Sequence, residues 1–346
     1  MDKIISLTDF QYFKGMKKMF PHSNHPFLSC SHNSLMTIAD YFKKDKFSIV
    51  NNFTTIYRFD KDKLGSTGYF KLDILNFKRL DQVMDEMCIS MNFTSPHIDS
   101  LQSEIISSLS KGNPVSLVID LYYQRGREFY FNKKHGLHPI LVYGFNLTTN
   151  EVYIVDDITE YKKYVVPFTE IKKACMSEEI KPDEPYFIEF INNVNYHHER
   201  DPKEMLHESI KRLKDNMLNH QDEIIEGIQS ISLLADFYGD SITNEDIIET
   251  LSSTIYRKCS EKFRLVALYE QLNPDLIHTT KEEIDLIINE IIMDWTNIRA
   301  ITTKAIFSQN INSDTVRKCV QLIRHLHDKE IKFIKQFYNL LNNLAI

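Results

Sequence analysis

Two regimes of hydrophobic patterning divide the chain. From about residue 201 onward, apolar residues recur every three or four positions, as on one face of a helix. Met205, Leu206, Ile210, Leu213, Met217, Ile224, Ile228 and Ile231 keep that spacing and predict a first helix from Asp201-Pro202 to Gly239, with proline in its first turn. Thr243-Asn244-Glu245-Asp246 resembles a capping box and opens a second helix that runs to about Leu272. Thr280-Lys281-Glu282-Glu283 opens a third. A fourth starts near Ser313-Asp314 and runs to the terminus through Val316, Val320, Ile323, Ile331, Ile334, Phe337, Leu341 and Leu344. Four long amphipathic helices with short connections predict a bundle or a helical cap.

Before residue 201 the apolar runs are short and punctuated. Residues 29–42 read as a helix. A strand is predicted at 115–121, followed by a polar and aromatic loop over 122–136. Further strands are predicted at 139–145 and 151–155, joined by a turn at 147–150, and at 164–166 and 187–191. A helix followed by successive hairpin-connected strands predicts an α+β domain with an antiparallel sheet. The expected organisation is therefore an α+β domain over 1–200 and an all-α domain over 201–346.

Composition sharpens this boundary. Seven of the nine glycines and nine of the ten prolines lie at or before residue 202, so the breakers belong to the first domain. No Gly-rich phosphate-binding motif occurs, which removes the dinucleotide and P-loop classes. The net charge of −7 argues against a nucleic-acid partner. No apolar run approaches the ~20 residues of a membrane span, and the N-terminus does not read as a signal peptide. The cysteines, Cys30, Cys88, Cys175, Cys259 and Cys319, are odd in number and never paired as CxxC. That pattern predicts a reducing, cytoplasmic setting without a disulfide framework or structural zinc. No metal site is expected either: His325 and His327 are spaced i,i+2 on a helix and do not share a face.

One constellation carries chemistry. Cys30 begins the helix predicted at 29–42, where unpaired N–H groups and the helix dipole favour a thiolate. A backbone N–H of that turn could also face a developing oxyanion. His138 heads an apolar strand, in Gly136-Leu137-His138-Pro139-Ile140. Asp156 ends the next strand, with Asp157 beside it as the alternative carboxylate. A tight hairpin would bring Asp156 to His138, where it could fix the imidazole tautomer and stabilise its charged form. Tyr122, Tyr123, Arg125, Arg127, Lys133 and Lys134 lie in the loop leading to His138 and could line an entrance for an acyl or phosphate-bearing group, with Tyr122, Tyr123 and Arg125 the candidate substrate contacts. Each feature alone is common. The order Cys, His, Asp with the last two on adjacent strands is not.

These residues also carry a family resemblance. The segment from His138-Pro139-Ile140-Leu141-Val142-Tyr143-Gly144 to Val152-Tyr153-Ile154-Val155-Asp156 resembles the His-to-Asp hairpin of papain-fold cysteine enzymes. With Cys30 early and Ile119-Asp120-Leu121-Tyr122 before a basic aromatic loop, residues 20–195 are similar to the butirosin biosynthesis protein H N-terminal family. The resemblance implies a papain-like fold and a thiol acyltransferase that passes an acyl group from a carrier-protein thioester to an amine in antibiotic assembly. It implies no resident cofactor, the acyl group arriving on the phosphopantetheinyl arm of an acyl or peptidyl carrier protein. It also points to Asn24 as an oxyanion donor, since papain-like enzymes commonly place a glutamine six residues before the cysteine. The helical domain is expected to cover or flank the cleft, and its apolar faces also admit a homodimer. A cysteine peptidase or amidase on the same scaffold is the second reading, and a non-catalytic binding protein the third.

Overall fold

The computed structural model describes residues 3–13, 29–44, 46–63, 69–181, 183–193, 201–242, 246–272 and 278–344. In chain order the strands are β1 (Ile4–Ser6), β2 (Phe53–Phe59), β3 (Phe70–Asn76), β4 (Ile89–Thr94), β5 (Val115–Asp120), β6 (Leu137–Asn146), β7 (Glu151–Asp156), β8 (Lys162–Pro167) and β9 (Phe187–Asn192). The helices of seven or more residues are α1 (Cys30–Tyr41), α2 (Leu80–Glu86), α3 (Leu101–Ser110), α4 (Phe168–Cys175), α5 (Pro202–Asn219), α6 (Gln221–Ser241), α7 (Asp246–Gln271), α8 (His278–Phe307) and α9 (Ser313–Asn343). The fold is α+β, with an antiparallel sheet and long helices.

The chain forms two compact units. The first takes Met1–Ile49 with Lys78–Pro202, the second Val50–Phe77 with Lys203–Ile346. This differs from the linear division at 200/201 in one respect: the segment containing β2 and β3 belongs with the helices. The physical reason is burial. Ile56, Tyr57, Phe70 and Leu72 lie in the same core cluster as Leu213, Ile231, Leu234, Ile288, Trp295, Ile323 and Phe337. Burying such side chains contributes roughly 1.5–3 kcal/mol each, and a two-stranded hairpin is marginal alone.

In the first unit the strands run in the order β4-β9-β5-β6-β7-β8, with β1 on the far end of β6. The pairings are antiparallel. Ile119, Ile140, Val142, Phe145, Val152 and Ile154 are fully buried. Helix α1 packs against β6, with Ile38 and Ala39 buried. The strands expected at 115–121, 139–145, 151–155, 164–166 and 187–191 correspond to β5 to β9, with ends displaced by at most two residues.

The second unit departs from the expected four helices. The stretch from Asp201 to Gly239 is two helices, α5 and α6, parted at His220. His220 leaves helical geometry (φ −102°, ψ 14°), its ring stacked on Phe77 and its Nδ1 3.1 Å from Glu223 Oε2. Gly239 lies inside α6. Gly227, also in α6, allows a close approach: a Cβ there would meet the Tyr57 carbonyl oxygen at 2.9 Å. The capping residues expected at Thr243–Glu245 lie outside the described residues, and α8 begins at His278 rather than Thr280.

At the centre of this unit is a buried charged network. Lys258 Nζ donates to Glu261 Oε2 (2.6 Å) and Glu330 Oε2 (2.8 Å). Tyr57 donates to Glu330 Oε1 and Thr55 to Glu261 Oε1. Arg264 reaches the carbonyl of Phe53 and pairs with Glu261 at 3.4 Å. Two cations answer two carboxylates, the condition under which such groups can be buried. Among the described residues, no helix is long and apolar enough to cross a membrane.

Candidate active site

Cys30 is the first residue of α1. Ser29 caps that helix: its Oγ accepts from the His32 backbone N–H at 3.2 Å and donates to His32 Nδ1 at 2.5 Å. The amide of a first-turn residue has no intrahelical acceptor, so the Cys30 N–H stands beside its own sulfur as a donor for an oxyanion. The helix is tied down at its middle by Tyr161, whose hydroxyl meets Thr37 Oγ1 at 2.8 Å and Ser34.

β6 and β7 supply the partners. In the sheet register Leu141 pairs with Val155, so the next position places Asp156 opposite Ile140. His138, two residues before Ile140, therefore shares a face with Asp156. The side chains meet accordingly: His138 Nε2 donates to Asp156 Oδ1 at 2.7 Å. The Cys30 thiol is close enough to the His138 imidazole to act on its protonation. Cys30, His138 and Asp156 are thus brought together from a helix end and two adjacent strands, with His138 and Asp156 directly hydrogen-bonded. His138 is 8% and Asp156 1% exposed, while Cys30 is half-buried.

Burial alone would lower the His138 pKa. The hydrogen bond to Asp156, the Cys30 thiol and the charges of Asp156 and Asp157 outweigh it and push the value from 6.5 up to about 10. Burial likewise opposes the Asp156 charge, but His138, Arg127 and Gln124 hold its carboxyl below the usual carboxylate range. The imidazolium–carboxylate pair is therefore the form present at neutral pH.

The other cysteines differ. None of the five is in a disulfide. Burial pushes the thiols of Cys175 and Cys259 up to about 12 and about 11, and raises that of Cys319. Cys88 lies in a turn with φ +61°.

Two residues absent from the expected triad complete its surroundings. Gln124, buried, donates to Asp156 Oδ2 at 2.5 Å and accepts from Arg127 Nε at 3.0 Å. Arg127 Nη2 lies 2.7 Å from Asp156 Oδ1 and 2.6 Å from Asp157 Oδ1. The Asp157 contact is close but not aligned as a hydrogen bond, so charge holds it. Asp157 Oδ1 is 3.4 Å from His138 Nε2, against 2.7 Å for Asp156 Oδ1. Of the two adjacent aspartates, Asp156 is the histidine's hydrogen-bond partner. His138, Asp156 and Asp157 bring ligand atoms within 4.8 Å of one another, but the guanidinium between the carboxylates already supplies the positive charge. A dication would have to displace it.

The remaining sequence candidates lie elsewhere on this unit or outside the described residues. Tyr122 stacks on His135 (4.4 Å between ring centroids) and meets Tyr123 edge-on. Lys173 of α4 sits over the Tyr123 ring. The backbone N–H of Arg125 donates to Glu170, and its side chain, 79% exposed, faces the same carboxylate at 3.6 Å. These three are organised by a cluster around buried Asp120, which accepts from Ser177 Oγ (2.5 Å), His135 Nδ1 (2.6 Å) and the amides of Tyr122 and Gly136. Their contacts run to that cluster and to α4. Asn24 lies outside the described residues. The sequence offered Arg127 only as one of several basic and aromatic residues of its loop, and nothing in it singled out Gln124. Only the fold of 121–136 brings them to Asp156. Neither a protein-family model nor a curated protein matches the chain.

Proposed function

We propose that the chain is a cysteine-dependent acyltransferase on a papain-like scaffold, forming an amide from a thioester donor and an amine acceptor. The observation that supports this reading is the gathering of Cys30, His138 and Asp156, with His138 hydrogen-bonded to Asp156 and the sulfur at a capped helix N-terminus. A nucleophile, a base within reach and a third group that orients the base are the parts of covalent catalysis.

In the reactive form Cys30 is the thiolate and His138 the imidazolium. The sulfur attacks the thioester carbonyl, and the Cys30 amide faces the oxyanion. Collapse breaks the donor C–S bond, and the leaving thiolate takes the proton from His138. The acyl group now rests on Cys30 as a new thioester, so the exchange is nearly isoenergetic and requires no ATP. The acceptor amine attacks this carbonyl while neutral His138 takes its proton. Loss of the Cys30 sulfur as thiolate releases the amide and restores the starting pair. Asp156 holds the ring in the tautomer that can do both. The donor chemistry proposed is an acyl group on the phosphopantetheinyl arm of a carrier protein, in the assembly of a specialised metabolite.

Intact-protein mass spectrometry tests the reading. The chain is incubated with acyl-thioesters, with and without amines, beside Cys30→Ala. A Cys30-dependent adduct discharged faster by amine than by water is the expected result. Absence of an adduct from every thioester, together with cleavage of peptides, would establish the peptidase or amidase reading instead.

A further inference from the structure

We propose that Arg127 is a positioning residue that stands between the two adjacent aspartates, sharing Asp156 with His138 and pairing with Asp157 by charge, and thereby limits how strongly His138 keeps its proton. This rests on the reading of His138 as the acid and base of acyl transfer. The charged and titratable groups that face His138 are Cys30 from the start of α1, Asp156 and Asp157 from the end of β7, and Arg127 from the loop before β6. Tyr161, fully buried and held neutral by burial, lies within range of the same two carboxylates.

When His138 is protonated, two cations answer two carboxylates. Arg127 Nη2 stands 3.1 Å from His138 Nε2. Both are donors, and they converge on the same Asp156 oxygen rather than bonding to each other. Without the guanidinium, both carboxylates would act on the imidazolium alone, in a setting where the Asp156 side chain is fully buried and those of His138 and Arg127 are 9% and 12% exposed. An imidazolium held that strongly is a poor proton donor to a leaving thiolate. The Arg127 side chain is pinned at both ends of its fork: Nε donates to Gln124, Nη1 to the Asp157 carbonyl, and Nη2 to Asp156. The backbone that delivers it turns through Gly126 at φ +86°, where a Cβ would meet Ile158 Cγ2 at 2.8 Å.

The test is an NMR titration of the full chain labelled at histidine, with the His138 signal assigned through His138→Gln. With its value pushed up to about 10, the wild-type imidazole should be about half protonated at pH 10. Removing or adding one charge at this distance moves such a midpoint by about one pH unit or more. Arg127→Gln should therefore leave His138 about nine-tenths protonated at pH 10, and Asp157→Asn about one-tenth. Arg127→Lys, which keeps the charge, should stay near wild type. An unmoved or lowered midpoint in Arg127→Gln, or the same midpoint in Arg127→Lys and Arg127→Gln, would overturn the proposal. If Arg127→Gln does not fold, Asp157→Asn decides: a midpoint equal to wild type overturns it. The titration needs no substrate. Acyl transfer can thus fail by mass spectrometry while the midpoints move as stated, and the reverse result is equally distinguishable.

Discussion

His138 links the chemistry of the site to its pH dependence. Its folded-state pKa is raised, so the stability it contributes is fully present below its unfolded value near 6.5 and is lost as pH rises through about 10. Urea unfolding at pH 6, 8 and 10 should show the wild type losing stability over that interval relative to His138→Gln. Parallel curves for the two proteins would contradict the assignment. The same proton governs reactivity, so iodoacetamide labelling of Cys30 should change near pH 10 and not near pH 6.5. Tyr161 acts at one remove. Tyr161→Phe deletes the hydroxyl shared by Thr37 and Ser34 and should lower stability by about 1 kcal/mol, measured by thermal melting.

At the scale of elements, the site depends on where one helix begins and how two strands are registered. Ser29 closes the first turn of α1, and Ser29→Ala should cost about 1 kcal/mol and slow Cys30 alkylation, because the cap also fixes the sulfur's direction. A loss of stability with unchanged alkylation would separate the cap from the site. Cys30, His138 and Asp156 could be read from the sequence because each marks the boundary of an element: a helix start, a strand start and a strand end. Their face was readable too, since period-two alternation puts His138 and Asp156 on one side of a hairpin. Arg127 was readable only as one of several loop residues near His138, its pairing with the aspartates was not, and Gln124 was not readable at all. They sit in a loop whose path is set by Asp120, Ser177 and His135, contacts that no local pattern encodes. The break at His220 was hidden for a related reason. Asn219-His220-Gln221 contains no glycine or proline, and the residue is turned aside by the ring of Phe77, more than a hundred positions away in the chain.

At the scale of the molecule, the second unit is built around a hairpin borrowed from the first third of the chain. A fragment of residues 203–346 lacks Tyr57, Phe70 and Leu72 from its core and the Tyr57 donor to Glu330. It should melt without cooperativity in circular dichroism, whereas a sharp transition would show that the helices suffice. Lys258→Met leaves Glu261 and Glu330 buried without their shared cation and should destabilise this unit by about 3–5 kcal/mol. The chain's one tryptophan, Trp295, is buried here and donates to Tyr57 Oη, so its fluorescence reports that unfolding directly. The break in composition at residue 202 marked the long helices, because glycine and proline are visible in a sequence. The membership of 50–77 was not visible, because it depends on which core buries Tyr57 and Phe70.

The central claim is that Cys30 carries an acyl group between two partners. Its most direct measurement is the mass of the intact chain after brief exposure to an acyl-thioester, followed by addition of an amine. The account predicts an increase equal to the acyl group in the wild type, none in Cys30→Ala, and return to the starting mass with release of the amide on adding amine. An unmodified wild type under every thioester offered, or an adduct that persists in Cys30→Ala, would contradict it.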